Sequence, residues 1–139
     1  MDWFFVDTSA WVSMADSAEV SHERVEDALS ENLGRLITSD HVLQETWAVM
    51  RYRHGAAPAE TLVNAIRAGI ARVEVSLLAD LEVAAAIGRA FEDQDFSLSD
   101  RTSWAVMERL GLSDAISLDR DFRVYRYGPD RRRALNVLP

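Results

Sequence analysis

Four carboxylates recur at comparable places in this 139-residue chain, each where an apolar, strand-like run gives way to a helical one. They are Asp7 in Phe5-Val6-Asp7-Thr8-Ser9, Glu45 in His41-Val42-Leu43-Gln44-Glu45-Thr46, Asp100 in Ser97-Leu98-Ser99-Asp100, and Asp119 in Ile116-Ser117-Leu118-Asp119-Arg120-Asp121-Phe122. In an alternating strand–helix chain with a parallel sheet all strands end on one edge, so residues remote in sequence meet in one crevice. Carboxylates gathered there without a cation repel and raise one another's pKa. A hard divalent ion such as Mg²⁺ relieves that repulsion, and oxygen ligands are what it prefers. The expected site is therefore a metal site. Each acid also has an ordinary explanation. Asp7 can cap a helix, Asp100 suits a first helical turn, Glu45 can be a solvated surface residue, and Asp119-Arg120-Asp121 can be a polar turn. Caps give no reason, however, for Glu45 and Asp119 to converge on the other two.

The elements that must position these acids are short. Trp3-Phe4-Phe5-Val6 is a continuous apolar run, as in a strand buried on both faces. Thr8 or Ser9 can start a helix to about Ala15. A second helix, about Ser21 to Leu33, carries Val25, Ala28, Leu29 and Leu33 on one face and stops at Gly34. Leu36-Ile37-Thr38 reads as strand two, followed by a helix capped by Ser39 or Asp40 that runs to Arg53. Gly55 ends that helix, and Pro58 suits the first turn of the next, with Leu62, Ile66 and Ile70 on its apolar side. Val73-Glu74-Val75 reads as strand three and Leu78 to Phe91 as a helix. After a polar loop from Glu92 to Ser97, Ser99 is expected to cap a helix to Leu110, closed by Gly111. Ala115-Ile116-Ser117-Leu118 is strand four and Ala134 to Leu138 strand five. Pairs of helices between short strands imply a three-layer α/β/α sandwich around a parallel sheet of about five strands.

Composition narrows the chemistry. The length suits one domain with a real core, and 48% hydrophobic with 27% charged residues is ordinary for a soluble globular protein. No apolar run approaches the roughly 18–20 residues of a membrane span, and Met1-Asp2-Trp3 does not read as a secretory signal. The absence of cysteine excludes thiolate sites and fits a cytoplasmic location. All 15 basic residues are arginine. Without lysine there is no P-loop lysine and no Schiff-base or Ser–Lys chemistry. A net charge of −8 argues against nonspecific coating of nucleic acid through a basic surface. It leaves open an enzyme that meets phosphate through bound metal. Basic residues crowd the C-terminal region, from Arg120 to Arg133.

The ordered set Val6-Asp7-Thr8-Ser9-Ala10-Trp11, helix-borne Glu45, Phe96-Ser97-Leu98-Ser99-Asp100 and Ser117-Leu118-Asp119-Arg120-Asp121-Phe122 resembles the PIN-domain ribonucleases. Among them it is most similar to VapC-type toxins of bacterial toxin–antitoxin pairs. The resemblance spans essentially the whole chain, 1–139, as a single PIN domain. It implies a metal-dependent hydrolase that cleaves RNA, with Asp7, Glu45, Asp100 and Asp119 as the quartet that holds Mg²⁺ or Mn²⁺. It also implies Ser9 as the hydroxyl that orients the first Asp, homodimers, and a cognate antitoxin laid across the groove. Ser117 stands where many relatives carry Thr and still supplies a hydroxyl. Asp119 or Asp121 can be the fourth acid, and Asp119 is favoured because it follows the strand directly.

One or two metals in such a cluster would lower the pKa of a bound water and stabilise charge developing on the scissile phosphate. Candidate phosphate grips are Arg51, Arg53 and Arg120, since arginine forks suit phosphate oxygens. Solvated helix ends explain them equally well, and Arg131-Arg132-Arg133 is either a phosphate-contacting edge or a soluble turn. His22, His41 and His54 lack metal-ligand spacing and read as surface or helix-end residues. Trp11, Trp47 and Trp104 read as core or dimer packing rather than base stacking. Two other functions compete. An acidic-pocket phosphohydrolase or phospho-acceptor domain would need a lysine, and the phosphohydrolase group also needs a second Asp where Ser9 stands. A noncatalytic binding module would keep the fold without the metal.

Overall fold

The computed structural model describes residues 2–139. Five short strands form one parallel sheet: β1 (Phe4–Val6), β2 (Leu36–Ser39), β3 (Arg72–Glu74), β4 (Asp114–Ile116) and β7 (Asn136–Leu138). Their spatial order is β3-β2-β1-β4-β7, every pair parallel. Phe4 stands opposite both Leu36 and Asp114, so β1 is the central strand. Its three residues are buried without alternation, as a strand covered on both faces requires. The chain builds outward from β1 to β2 and β3, then returns to β4 on the other side. The switch in direction therefore falls between β1 and β4, where open α/β sheets form their crevice.

The helices follow from the crossovers. Helices α1 (Thr8–Ala15), α2 (His22–Glu31), α3 (Asp40–His54) and α4 (Ala56–Ala65) connect the outward half, and α5 (Leu78–Ala90) and α6 (Leu98–Leu110) connect β3 back to β4. Parallel crossovers are right-handed. Opposite directions of travel thus put the two groups on opposite faces, α1 to α4 packing together and α5 against α6. The core between these layers includes Phe5, Val6, Trp11, Val42, Ile87, Trp104 and Ile116.

The ends of several elements differ from expectation. The helix after Pro58 ends at Ala65 and passes into a π turn, Ile66–Ile70, closed by Gly69 at φ 140°. The cap of α6 is Ser97, not Ser99. The Ser97 hydroxyl accepts the Asp100 N–H at 3.1 Å, placing Asp100 in the first turn of the helix. The expected fifth strand is split: Arg133–Ala134 (β6) leaves the sheet to pair antiparallel with Arg126–Tyr127 (β5) after the short helix α7 (Asp121–Val124), and β7 begins only at Asn136. Arg131 at φ 55° turns this hairpin, a conformation that no hydropathy pattern announces. All three histidines lie at helix ends, His22 and His41 at starts and His54 at a finish. Trp11 and Trp104 are fully buried, and Trp47 is half-buried with its indole N–H on Glu60 at 3.1 Å.

Candidate active site

Asp7 leaves the end of β1 at the first position before α1, with extended backbone angles, and makes no helix-capping bond. The simple cap explanation therefore fails for this residue. Instead its Oδ2 accepts the Ser9 hydroxyl at 2.8 Å and the Ser117 hydroxyl at 3.0 Å. Those two serines are themselves pinned from the other side of the switch. Ser9 Oγ accepts the Leu118 N–H at 2.9 Å, and Ser117 Oγ accepts the Asp119 N–H at 3.0 Å. The result is a small lattice that stitches the β1–α1 turn to the segment after β4. Asp119 Oδ1 continues it by accepting the Asp121 N–H at 2.9 Å, an Asx turn that opens α7.

Asp7, Asp100 and Asp119 each present a carboxylate oxygen within 4.8 Å of the others. Glu45 is not in this cluster. It lies on the wall of the same cleft, half-buried, and its charge contributes to raising the pKa of both Asp7 and Asp100. Asp121 also lines the cleft, but the carboxylate that joins Asp7 and Asp100 is that of Asp119. The cleft encloses about 500 Å³.

Electrostatics leaves the charge of the cluster uncompensated. Burial pushes the Asp7 carboxyl up to about 6, against the two serine hydroxyls that favour its ionised form. Burial together with Asp7 and Asp119 lifts Asp100 to about 8. Among the described residues no ion pair neutralises Asp7, Glu45, Asp100 or Asp119. Buried carboxylates without a cation are costly. An all-oxygen donor set this compact suits a small hard cation of the Mg²⁺ or Mn²⁺ kind, and no sulfur or imidazole in the cluster argues for a softer metal.

Two aromatic anchors hold the acid-bearing loops in place. Phe96, just before Ser97, meets Trp104 edge-on at 4.7 Å, and Phe122, just after Asp121, meets it at 5.5 Å. Tyr125 stacks on the same indole at 4.2 Å. His41 braces the other side of α6. Its ring nitrogens face the hydroxyls of Ser39, at the start of the Glu45 helix, and Ser103, one turn after Asp100. Burial lowers its pKa, so it acts as a neutral strut.

The three arginines expected to grip phosphate are placed differently. Arg53 lines the cleft, where its guanidinium pairs with Glu19 at 3.3 Å across the mouth. Arg120 is exposed between the cleft residues Asp119 and Asp121. Arg51 does not line the cleft; it lies over the Trp47 ring at 5.9 Å. Glu19 and Asp95 also line the cleft, and both escape a reading of the sequence. Glu19 sits in a turn segment, and Asp95 takes a left-handed conformation at φ 50° in a loop. For neither does a strand end mark the position.

Residues 4–126 match the PIN domain family. The chain therefore belongs to the PIN-domain family, and its relatives put it among the VapC-type members. It is 33% identical over 119 residues to the 23S rRNA-specific endonuclease VapC20 of Mycobacterium tuberculosis, covering 85% of this chain and 90% of that protein. Ribonuclease VapC26 of the same organism is 24% identical over 115 residues, 83% of this chain and 85% of that one. The crystal structure of VapC20, described as a sarcin–ricin loop cleaving toxin, superposes with a TM-score of 0.81 at 31% identity over 87% of this chain and 93% of that one. The DNA-bound VapBC complex of Salmonella typhimurium contains a chain of the same fold, with a TM-score of 0.72 at 14% identity and coverage of 99% and 97%. No helix among the described residues is long and apolar enough to cross a membrane.

Proposed function

We propose that this chain, a single PIN domain over residues 1–139, is a divalent-metal-dependent endoribonuclease and the toxin half of a cytoplasmic toxin–antitoxin pair. The observation that carries this reading is the uncompensated Asp7–Asp100–Asp119 cluster at the switch point of the sheet. Asp7, Asp100 and Asp119 would hold Mg²⁺ or Mn²⁺, with Glu45 reaching in from the cleft wall. The bound ion would supply Lewis-acid stabilisation of phosphate charge and acidify a water.

The protein's own groups do the rest. Ser9 and Ser117 fix the rotamer of Asp7, so its oxygens face the cluster without a search for geometry. The Asp121 N–H does the same for Asp119. Glu45, outside the tight cluster but beside it, is placed to accept the proton of an attacking water. Arg53 and Arg120 border the acidic floor and offer forks for the phosphates flanking the cut. The names of the relatives support RNA as substrate and an antitoxin as protein partner, and the working assembly proposed is a homodimer. A phosphohydrolase is disfavoured by Ser9, two residues after Asp7, and by the lack of lysine.

The test is incubation of purified protein with total cellular RNA and Mn²⁺ or Mg²⁺, beside Asp7→Asn and an EDTA control. Discrete fragments are expected from the wild type alone, and mapping their ends identifies the target. If folded, antitoxin-free protein gives no fragments and no metal-induced rise in melting temperature, the nuclease reading is wrong.

A further inference from the structure

The charge of the chain is split. Residues 120–133 hold six arginines against Asp121 and Asp130, a net +4, which leaves −12 on the remainder of a chain whose total is −8. An acidic enzyme that must hold a polyanion has few surfaces on which to do so, because phosphate contacts supply most of the sequence-independent affinity for nucleic acid. In the fold these arginines lie along one flank rather than in a cluster.

Arg120 is exposed between the cleft residues Asp119 and Asp121. Arg123 follows on α7, exposed and tied to the end of β7 by its donation to the Pro139 carbonyl at 2.6 Å. Arg126 opens the hairpin and closes α7 by donating to the carbonyls of Arg123, Val124 and Tyr125. Arg133 lies on β6 opposite Tyr127, its stem running over Gly128. Three residues after Arg133, β7 starts at Asn136, opposite Asp114 at the start of β4. The arginines thus descend from the carboxyl edge of the sheet to its amino edge, the length of a three-residue strand, about 10 Å.

The run Arg131-Arg132-Arg133 divides in two. Arg131 is committed internally, donating to the Tyr125 hydroxyl at 2.7 Å and paired with Glu108 at 3.3 Å. Arg132 and Arg133 are exposed, and among the described residues neither they nor Arg120 has a carboxylate within ion-pair distance. Exposed and unpaired, they remain available to a polyanion.

We infer that Arg120, Arg123, Arg132 and Arg133 form a phosphate track that carries the RNA strand from the acidic cleft down the α7–β5–β6 flank. The inference rests on the ribonuclease reading for its choice of polyanion. It makes the binding footprint longer than the cut site and assigns affinity to a region with no part in the chemistry.

The experiment measures binding of long fluorescein-labelled poly(U) in EDTA by anisotropy, across a salt series. The Arg132→Ala/Arg133→Ala protein is compared with Arg24→Ala/Arg67→Ala, which makes the same charge change on α2 and on the π turn after α4. Loss of two phosphate contacts should make the slope of log affinity against log salt shallower by about 1 to 1.5. Affinity at low salt should fall several-fold for the track variant and little for the control. Melting temperatures should match the wild type, since all four residues are exposed. Equal slopes in the two variants would overturn the track. So would an unchanged RNA slope with loss of capture of the co-expressed antitoxin, which would make the flank a protein-docking face. Because EDTA removes cleavage from the measurement, a protein that binds through the track but never cuts RNA refutes the nuclease reading alone. One that cuts RNA with unchanged slopes refutes the track alone.

Discussion

Two buried carboxylates in this molecule, Asp80 and Asp7, are 2% and 3% exposed and have been pushed in opposite directions. Asp80, in the first turn of α5, receives a bidentate fork from Arg109 of α6 at 2.9 and 3.0 Å and the Leu77 N–H at 2.7 Å. Burial opposes its charge, but the Arg109 and Leu77 bonds outweigh that and hold its pKa below the usual value. Asp7 receives two neutral hydroxyls and a backbone N–H but no cation, and its pKa rises with burial. With equally little surface exposed, the same side chain is finished by a cation in one place and left unfinished in the other. Arg109 also reaches the Val75 carbonyl at 3.2 Å, so the finished pair locks β3, α5 and α6 together. The unfinished one faces a cleft, where a cation from solution could complete it.

The sharpest way to break this comparison is to neutralise one carboxylate of each kind. Asp7→Asn or Asp100→Asn should reduce RNA cleavage by about 10²–10³-fold, the scale of losing one preorganised electrostatic contact in a transition state. Folding stability in EDTA should be unchanged or raised, because an uncompensated buried charge has gone. Single-turnover cleavage and urea unfolding on the same samples check both halves. Asp80→Ala should do the reverse. It strands Arg109 and the Leu77 N–H and should cost about 2–4 kcal/mol of stability. Metal-induced stabilisation per mole of folded protein should persist. A stable Asp80→Ala protein with a dead cleft would show that the two regions are not separable.

The pH dependence divides along the same line. A carboxyl whose folded pKa is raised contributes stability that is complete below its unfolded pKa, near 3.9, and lost as pH rises through the folded value. For Asp7 that window runs from about 4 to about 6, and for Asp100 from about 4 to about 8. In EDTA the wild type should therefore weaken across pH 4–8, Asp7 alone accounting for roughly 2–3 kcal/mol. The Asp100→Asn protein should show a shallower decline. Asp80, with a lowered pKa, contributes stability above its unfolded value that is lost as pH falls, so its removal should flatten only the acid side. Mn²⁺ should oppose the alkaline decline, since under the proposed function the ionised carboxylates would be its ligands. Chemical unfolding at stepped pH, with and without Mn²⁺, reads all of this. A wild type in EDTA that gains stability steadily up to pH 8 would contradict it.

What the sequence made legible was set by local rules. Asp7 and Asp119 are marked because an apolar run stops just before them, whereas Asp100 follows a polar loop and is marked only by the start of α6. Glu45 is marked only by its helix, and a helix says less about depth, which is why it was expected in a quartet and lies on the cleft wall. The cap of α6 was misplaced by two residues because Ser97 and Ser99 are equally good capping chemistries, and backbone angles decide between them. The β5–β6 hairpin is not legible: of its four residues only Ala134 reads as strand, since Arg126-Tyr127 is too short and too polar to stand out from its surroundings. The cleft residues Glu19 and Asp95 carry no local signal, because both are brought there by turns whose direction depends on the packed layers beneath them.

The smallest effect tests how finely Asp7 is tuned. Ser9 both donates to Asp7 Oδ2 and accepts the Leu118 N–H, so Ser9→Ala removes one bond to the carboxylate and leaves a backbone donor without that partner. Hydrogen bonds to a charged group are worth about 1.5–3 kcal/mol. Ser117 still reaches the same oxygen, and the net loss in the metal-bound state should be about 1–2 kcal/mol, a five- to thirty-fold weakening of Mn²⁺ binding. The Ser9 bond also holds the Asp7 pKa down. Its loss should move the pH at which Mn²⁺ stabilisation reaches half its maximum upward, a shift that a purely structural defect would not produce. Ser9→Thr keeps the hydroxyl and should restore that midpoint. If Ser9→Ala lowers stability equally with and without Mn²⁺ and leaves the midpoint in place, the serine supports the β1–α1 turn and does not tune the acid.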